Sequence, residues 1–239
     1  MDTHTNHSAP VITCVSLGPG EAELITIKGL RALQAADLIY CPGTKVASRS
    51  NQILQELGIE EEKIVPFQIT MSKDRSIAKK EYEAVAQEML IKARQGKHVA
   101  IVAEGDSGFY STARYITDII NADSEISLAV VPGVPAFIAC GARAGIHVVK
   151  QEETLMVLTT DLTVENIREG LRKNRSMVVM KLSQNKEAVK EAIKTIPEAE
   201  FHYFENVGLP DREYYTADRD EIAAREIPYF SILIIKNKD

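Results

Sequence analysis

Three glycine-containing turns follow apolar runs of strand length, and their residue types are those that bind ligands in α/β proteins. The turns are Gly18-Pro19-Gly20 after VITCVSL (11–17), Glu104 to Gly108 after HVAIVA (98–103), and Pro132 to Pro135 after ISLAVV (126–131). In open α/β sheets ligands bind beyond the carboxyl ends of the strands. We therefore expect the chemistry of this chain to lie in these three turns.

The first turn lacks the features of a phosphate-binding loop. The third glycine of a GxGxxG motif is replaced by Glu23, no GK[ST] sequence follows, and Pro19 has no N–H to offer a phosphate. Glycines on both sides of a proline leave a rigid surface with few side chains, which a bulky ligand can approach closely. A tight turn with no ligand is the alternative interpretation.

The second turn has two interpretations. Ser107, in the sequence Gly105-Asp106-Ser107-Gly108, resembles the nucleophile of GDS-type serine hydrolases, which need a histidine base. None of the candidate histidines lies in a typical catalytic setting; they are His98, His147 and His202. We favour a ligand-binding loop, in which Asp106 supplies a carboxylate suited to an ammonium, a ribose hydroxyl or a sulfonium cation.

The third turn opens a stretch rich in alanine, glycine and cysteine, which is predicted to form a helix over 135–144. Small side chains on this helix allow a ligand to lie against it, and they equally allow close packing on a sheet. Both interpretations stay open at this point.

Composition limits the classes of function. The 239 residues include 28 basic and 34 acidic side chains, and the net charge of −6 argues against a general nucleic-acid binder. The widely spaced cysteines (Cys14, Cys41 and Cys140) indicate free thiols, and the histidine spacing predicts no metal site. Because no signal peptide and no membrane-spanning apolar run is recognisable, we expect a cytoplasmic protein that does not contact membranes.

Apolar runs of strand length alternate with amphipathic stretches of helix length, which predicts an α/β protein with largely parallel sheets. The other predicted strands are 37–41, 63–67, 154–159, 176–181, 200–204 and 229–236. The other predicted helices are 24–36, 47–57, 74–95, one that follows the second turn and ends near Asn121, 163–173, 184–195 and 218–224. Five strands precede Gly133 and four follow it, so we expect an N-terminal domain over 1–133 and a C-terminal domain over 134–239.

The three turns, taken in order, resemble one family. SLGPGEAELITIKGLRALQAADLIYCP, VAEGDSGFYST and VVPGVPAFIACGARAGI are similar to the three motif regions of the tetrapyrrole methylases, and the resemblance spans about 11–236. The chain departs from the family pattern at Glu21-Ala22, where the family has Asp-Pro, at Ser107, where it has proline, and at Pro135. The proline at 135 offers neither the N–H nor the hydroxyl of the serine that is common there.

Later motifs resemble one branch of this family, whose members methylate meso carbon 20 of a reduced tetrapyrrole. They are Glu104 before Gly105-Asp106, FYST at 109–112, MKLSQN at 180–185, ENVGLPDRE at 205–213 and PYFSILII at 228–235. The resemblance implies methyl transfer from S-adenosyl-L-methionine to precorrin-2 or cobalt-factor II in cobalamin biosynthesis. Methylation at another ring carbon is the alternative within the family. The alternatives outside it are the serine hydrolase and a noncatalytic carrier that binds a tetrapyrrole without S-adenosylmethionine.

The resemblance also implies an architecture and a set of site residues. Two α/β domains would hold the cofactor in the cleft between them, in a molecule that is commonly a homodimer. Cofactor contacts carry over onto Pro19, Gly105, Asp106, Phe109, Pro135, Ala136, Met180 and Val207.

Roles for the charged residues follow as hypotheses. Asp106 and Glu104 are the candidate catalytic carboxylates, because carbon 20 must lose a proton after methylation. A tetrapyrrole with eight carboxylates needs cations, and Lys181, Arg114 and Arg212 are the main candidates for binding it. Further cations near predicted loops are Lys45, Arg49 and Arg75.

Overall fold

The computed structural model describes residues 12–44, 48–70 and 75–238. The chain divides into two compact units, Met1–Pro135 and Ala136–Asp239, and each unit is described by itself below. Among the helices in the described ranges, none combines the length and the apolar character that crossing a bilayer requires.

Unit 1 is built around a sheet of parallel strands in the order β3-β2-β4-β1-β5. Its strands are β1 (Ile12–Ser16), β2 (Leu38–Pro42), β3 (Ile64–Phe67), β4 (Val99–Ala103) and β5 (Leu128–Val131). Its helices are α1 (Ile27–Ala35), α2 (Arg49–Glu56), α3 (Arg75–Arg94) and α4 (Thr112–Asn121). The α/β class predicted from the alternation of apolar runs is confirmed.

The apolar runs form these strands because both faces of the sheet are covered. All five residues of β4 are buried. Ile101 packs in one apolar core with Met89 of α3 and Ile116 of α4, whereas Val102 packs on the opposite face with Leu33 and Leu54. A strand buried on both faces is apolar throughout instead of alternating. Because all five strands run parallel, their carboxyl ends lie at one edge of the sheet.

Unit 2 contains a mixed sheet in the order β6-β7-β10-β8-β9. Its strands are β6 (Thr154–Leu158), β7 (Arg175–Val179), β8 (Ala199–Glu205), β9 (Tyr214–Thr216) and β10 (Ser231–Asn237). Its helices are α5 (Ala136–Ala144), α6 (Val164–Arg172), α7 (Lys186–Thr195) and α8 (Arg219–Ala224).

The expectation of a largely parallel sheet is wrong for unit 2. Only β6 and β7 pair in parallel; β10 runs antiparallel to both β7 and β8, and β9 runs antiparallel to β8. The reason is that β8 and β9 form a hairpin and β10 inserts between β7 and β8. The carboxyl ends of β6, β7 and β8 therefore share an edge with the start of β10.

Candidate active site

The three turns of unit 1 meet at one edge of its sheet, because β4, β1 and β5 are neighbours. The Gly18 N–H donates to the Gly105 carbonyl (3.1 Å), and the Gly105 N–H donates back to the Gly18 carbonyl (2.7 Å). Both glycines have positive φ angles, +84° and +69°, which residues with a side chain rarely adopt. The backbones of the first and second turns are thereby fixed side by side.

Asp106 joins the second turn to the third. Its Oδ1 accepts the Gly108 N–H (2.8 Å), and its Oδ2 accepts the Gly133 N–H (2.7 Å). Both carboxylate oxygens thus bind backbone donors, so this side chain holds the turns in place whatever else it does. A carboxylate oxygen has a second lone pair, and contact with a cation remains compatible with these bonds.

Gly133 is required by close packing between the turns. A Cβ atom at this position would lie 2.7 Å from the Ser16 Cβ and 2.8 Å from the Gly105 carbonyl oxygen. Distances this short leave no room for a side chain, because one of the two atoms belongs to the backbone. The third turn therefore lies directly against the end of β1 and the second turn.

Arg49, suggested from the sequence as a substrate-binding cation, has an internal role instead. Its Nη2 donates to the Pro19 carbonyl (3.1 Å), and its Nε lies 3.2 Å from the Glu104 Oε1. Only 12% of the Arg49 side chain is exposed. It lies at the start of α2 and links the first turn to the second, so it is not a surface cation awaiting an anionic ligand.

Glu104 is a carboxylate in an unusual environment. Burial raises its pKa, and the neighbouring Arg49 guanidinium opposes that rise. About 30% of its side chain is exposed, so it remains reachable at the edge of the sheet. A carboxylate whose pKa is raised binds a proton more readily at neutral pH than an ordinary one, which suits a general base.

The geometry at Ser107 disfavours the hydrolase interpretation. Ser107 is 2% exposed, its N–H donates to the Ser16 Oγ (2.9 Å), and its hydroxyl hydrogen-bonds the Cys14 thiol. His98 immediately precedes β4 and Ser107 follows it, so the strand places them at opposite edges of the sheet. A catalytic nucleophile must be reachable by its substrate, and this hydroxyl is enclosed.

The other predicted residues of unit 1 lie at or near the same edge. Pro19 is buried, Phe109 is exposed and Pro135 is partly buried. Arg114 is exposed on α4, where its Nε pairs with the Asp118 Oδ1 one turn later (3.1 Å). Lys45 and the side chain of Arg75 lie outside the described residues.

Unit 2 gathers a second set of predicted residues at the edge where β7 and β8 end. The sequence placed Lys181 in a strand, but β7 ends at Val179. Lys181 lies beyond it in a left-handed conformation (φ 52°, ψ 45°) and precedes a short 3-10 turn, Leu182–Gln184. Met180, between them, is partly buried against an apolar core cluster, and Ala136 begins α5.

The loop after β8 contributes backbone more than side chain. Val207 is buried in a core cluster with Phe137 and Phe204, so its side chain is not available to a cofactor. On either side of it Asn206 and Gly208 have positive φ angles, 48° and 81°. Arg212 is exposed farther along the same loop.

Similarity to known proteins identifies the family. The sequence model of the Tetrapyrrole (Corrin/Porphyrin) Methylases matches residues 11–223 of this chain. The chain belongs to this family.

Its relatives include enzymes of one branch and a structure of another. The chain is 25% identical to a precorrin-2 C(20)-methyltransferase of Sinorhizobium, over 92% of this chain and 93% of that one. It is 24% identical to a cobalt-precorrin-2 C(20)-methyltransferase of Salmonella typhimurium, over 94% and 95%. Uroporphyrin-III C-methyltransferase from Thermus thermophilus, solved with S-adenosyl homocysteine, has the same fold (TM-score 0.65, 17% identity, 94% of this chain and 91% of that one).

Proposed function

We propose that this tetrapyrrole methylase transfers the methyl group of S-adenosylmethionine to meso carbon 20 of precorrin-2 or its cobalt-containing counterpart, in cobalamin biosynthesis. The observation that carries the position of methylation is the similarity to C(20)-methyltransferases over more than nine-tenths of the chain. The motifs at 104–112, 205–213 and 228–235 support the same branch.

The turns of unit 1 fit the proposed cofactor. Gly18, Pro19 and Gly105 bring backbone and few side-chain atoms to this edge. All three are buried, so a nucleoside would meet the main chain at the exposed residues beside them, Gly108 and Phe109. Hydrogen bonds, one ion pair and the close contact at Gly133 hold these turns together, so little ordering remains when a ligand binds. Further contacts from Phe109, Pro135, Ala136, Met180 and the Val207 main chain belong to the proposal.

When bound, S-adenosylmethionine supplies an electrophilic methyl group on a sulfonium sulfur. The chain's own residues position the reacting carbon and accept the proton that carbon 20 loses. Of the two candidate carboxylates, Glu104 is the better candidate for the base that removes the proton from carbon 20, since both oxygens of Asp106 accept hydrogen bonds from backbone N–H groups. Lys181, Arg212 and Arg114 would hold carboxylates at the rim of the substrate.

The decisive experiment supplies S-adenosylmethionine with a ¹³C-labelled methyl group to the protein with each substrate separately. We expect a single new methyl resonance that NMR assigns to carbon 20. A methyl group on a different ring carbon would support the alternative branch. Covalent labelling of Ser107 by a fluorophosphonate, with no methyl transfer, would support the hydrolase.

We also propose that the enzyme is cytoplasmic, that its acidic net charge leaves it without nucleic-acid partners, and that it is a homodimer, as the family resemblance implies. Analytical ultracentrifugation of the purified protein tests the stoichiometry. A sedimentation coefficient for a 26.5 kDa species at all concentrations would rule the dimer out.

A further inference from the structure

Two exposed aromatic side chains stand at the start of β10, the strand that is inserted into the middle of the unit 2 sheet. Tyr229 is 48% exposed and Phe230 is 44% exposed. Their rings meet edge to face, with centroids 5.0 Å apart and planes at 88°. Single exposed apolar residues are ordinary on protein surfaces, but an adjacent aromatic pair at a strand end in a candidate site is a more specific feature.

The sheet fixes the place of this pair among the candidate site residues. β10 lies between β7 and β8, and its register pairs Leu233 with Val179 and Ser231 with Glu205. The residues just before Ser231 therefore lie between the chain that leaves β7 at Met180 and the chain that leaves β8 at Asn206.

The backbone around the pair is held firmly. The Asn206 N–H donates to the Phe230 carbonyl (2.9 Å), and the Ser231 Oγ donates to the Pro228 carbonyl (2.6 Å). These bonds hold the main chain at both ends of the dipeptide, so the two exposed rings extend from a fixed backbone. A preorganised contact surface loses little conformational freedom when a ligand binds.

Two cations flank the aromatic pair. Lys181 follows β7 on one side, and Arg212 lies in the loop after β8 on the other. Within the described ranges neither side chain forms an ion pair with a carboxylate of this chain. The edge thus combines a flat apolar surface with available positive charge on both sides.

We propose that Tyr229 and Phe230 form the contact surface for the apolar face or edge of the tetrapyrrole, while Lys181 and Arg212 meet its carboxylates. This inference rests on the proposed function and adds the residues that recognise the macrocycle itself. The complementarity is chemical: the ligand is a flat apolar ring system with a rim of carboxylates. The nucleoside of the cofactor fits this surface less well, because it has only one small aromatic ring system and no surrounding carboxylates.

The test compares ring-deleting and ring-preserving variants. Uroporphyrin, a stable tetrapyrrole with eight carboxylates, is the probe for the macrocycle, and its binding is followed by absorbance; S-adenosylhomocysteine binding is followed by calorimetry. The double variant Tyr229→Leu/Phe230→Leu keeps apolar volume and removes both rings. We expect its Kd for uroporphyrin to rise about tenfold, with an unchanged Kd for S-adenosylhomocysteine.

Two controls make the result specific. The exchange Tyr229→Phe/Phe230→Tyr preserves both rings and should bind uroporphyrin as the wild type does. Tyr115→Leu removes another exposed ring, which stacks on Tyr82 in unit 1, and should also leave this Kd unchanged.

Three outcomes would overturn the proposal, and they differ from one another. Unchanged uroporphyrin binding in the double leucine variant would make the pair a solvated surface. Weakened S-adenosylhomocysteine binding with intact uroporphyrin binding would assign the rings to the cofactor. Wild-type protein that binds no tetrapyrrole and methylates none would overturn the proposed function as well, and this is seen before any variant is compared.

Discussion

At the residue scale, Asp106 is the side chain that joins the second and third turns of unit 1. Asp106→Asn keeps its size but offers one accepting oxygen, so an amide N–H would face the N–H of Gly108 or Gly133. We expect unfolding free energy to fall by about 1–3 kcal/mol and turnover to fall with it. Denaturant unfolding and a methyl-transfer assay measure the two effects.

The matched control is the neighbouring Ser107→Ala, which removes only the hydroxyl that hydrogen-bonds Cys14. Its loss of turnover should be much smaller than that of Asp106→Asn. The opposite ranking, with Ser107→Ala abolishing activity, would contradict the role of Asp106 in holding the turns together. It would support the Ser107 hydroxyl as the catalytic group.

Arg49 is the second residue with a testable role, and its effect depends on pH. Burial raises the folded-state pKa of Glu104 above its unfolded value, so the charged carboxylate destabilises the fold as pH rises through that pKa. Arg49 offsets this cost. Arg49→Met should therefore lower stability by about 2 kcal/mol near pH 8 and by clearly less at a pH below the raised pKa of Glu104, where its carboxyl is neutral.

Unfolding curves at the two pH values measure this difference. Adding Glu104→Gln to Arg49→Met removes the unpaired charge, so the double variant should lose the pH dependence. The variant Arg49→Lys would keep the positive charge, but lysine lacks the forked guanidinium group that contacts both Pro19 and Glu104 in the wild type. A loss of stability in Arg49→Met that is the same at both pH values would show that the ion pair is not its cause.

At the element scale, the meeting of three strand ends depends on Gly133. Gly133→Ala places a methyl group against Ser16 and the Gly105 carbonyl, so the third turn must move away. We expect a loss of about 2 kcal/mol in stability and at least tenfold weaker binding of S-adenosylhomocysteine, measured by calorimetry. Gly58→Ala is the control: it strains a left-handed residue (φ +71°) with open space around it, so stability alone should fall.

The elements also explain what the sequence could predict. The apolar runs at 11–17 and 98–103 predicted β1 and β4 because strands buried on both faces need no polar alternation. The three residues of β9 are too few to show a recognisable strand pattern. The direction of a strand in the unit 2 sheet depends on which strands it pairs with, and the sequence of one strand does not reveal this. Lys181 was placed in β7 because its apolar neighbours continue the run, whereas its left-handed backbone ends the strand.

The same limit applies to the site. The motif turns could be located from glycine, proline and aspartate, because those residues mark special backbone conformations. The internal role of Arg49 had no sequence signal, since an arginine at a helix start resembles any surface cation. The contact of Gly133 with Ser16 joins residues more than a hundred positions apart, and only the order of the strands brings them together.

At the scale of the whole molecule, a net charge of −6 opposes the approach of the proposed substrate, a tetrapyrrole with eight carboxylates. Binding must then rely on a few cations that contact the ligand at hydrogen-bond distance. Their attraction is stronger there than the repulsion from the net charge of the whole chain, which acts over longer distances. Salt screens exposed charges beyond about 8 Å at physiological strength and screens the contact pairs less. Lys181 is the cation whose removal tests this balance most directly.

Lys181→Met keeps the apolar stem and removes the charge. We expect the tetrapyrrole Kd to rise roughly tenfold to a hundredfold in low salt, while the Kd for S-adenosylhomocysteine changes little. The difference in tetrapyrrole Kd between variant and wild type should shrink as salt is added. Salt weakens the attraction between Lys181 and the ligand carboxylates in the wild type, whereas the variant has no charge at this position to be screened. A variant that loses S-adenosylhomocysteine binding but keeps the tetrapyrrole would place Lys181 in the cofactor site, and an unchanged tetrapyrrole Kd in low salt would show that its charge is not what matters.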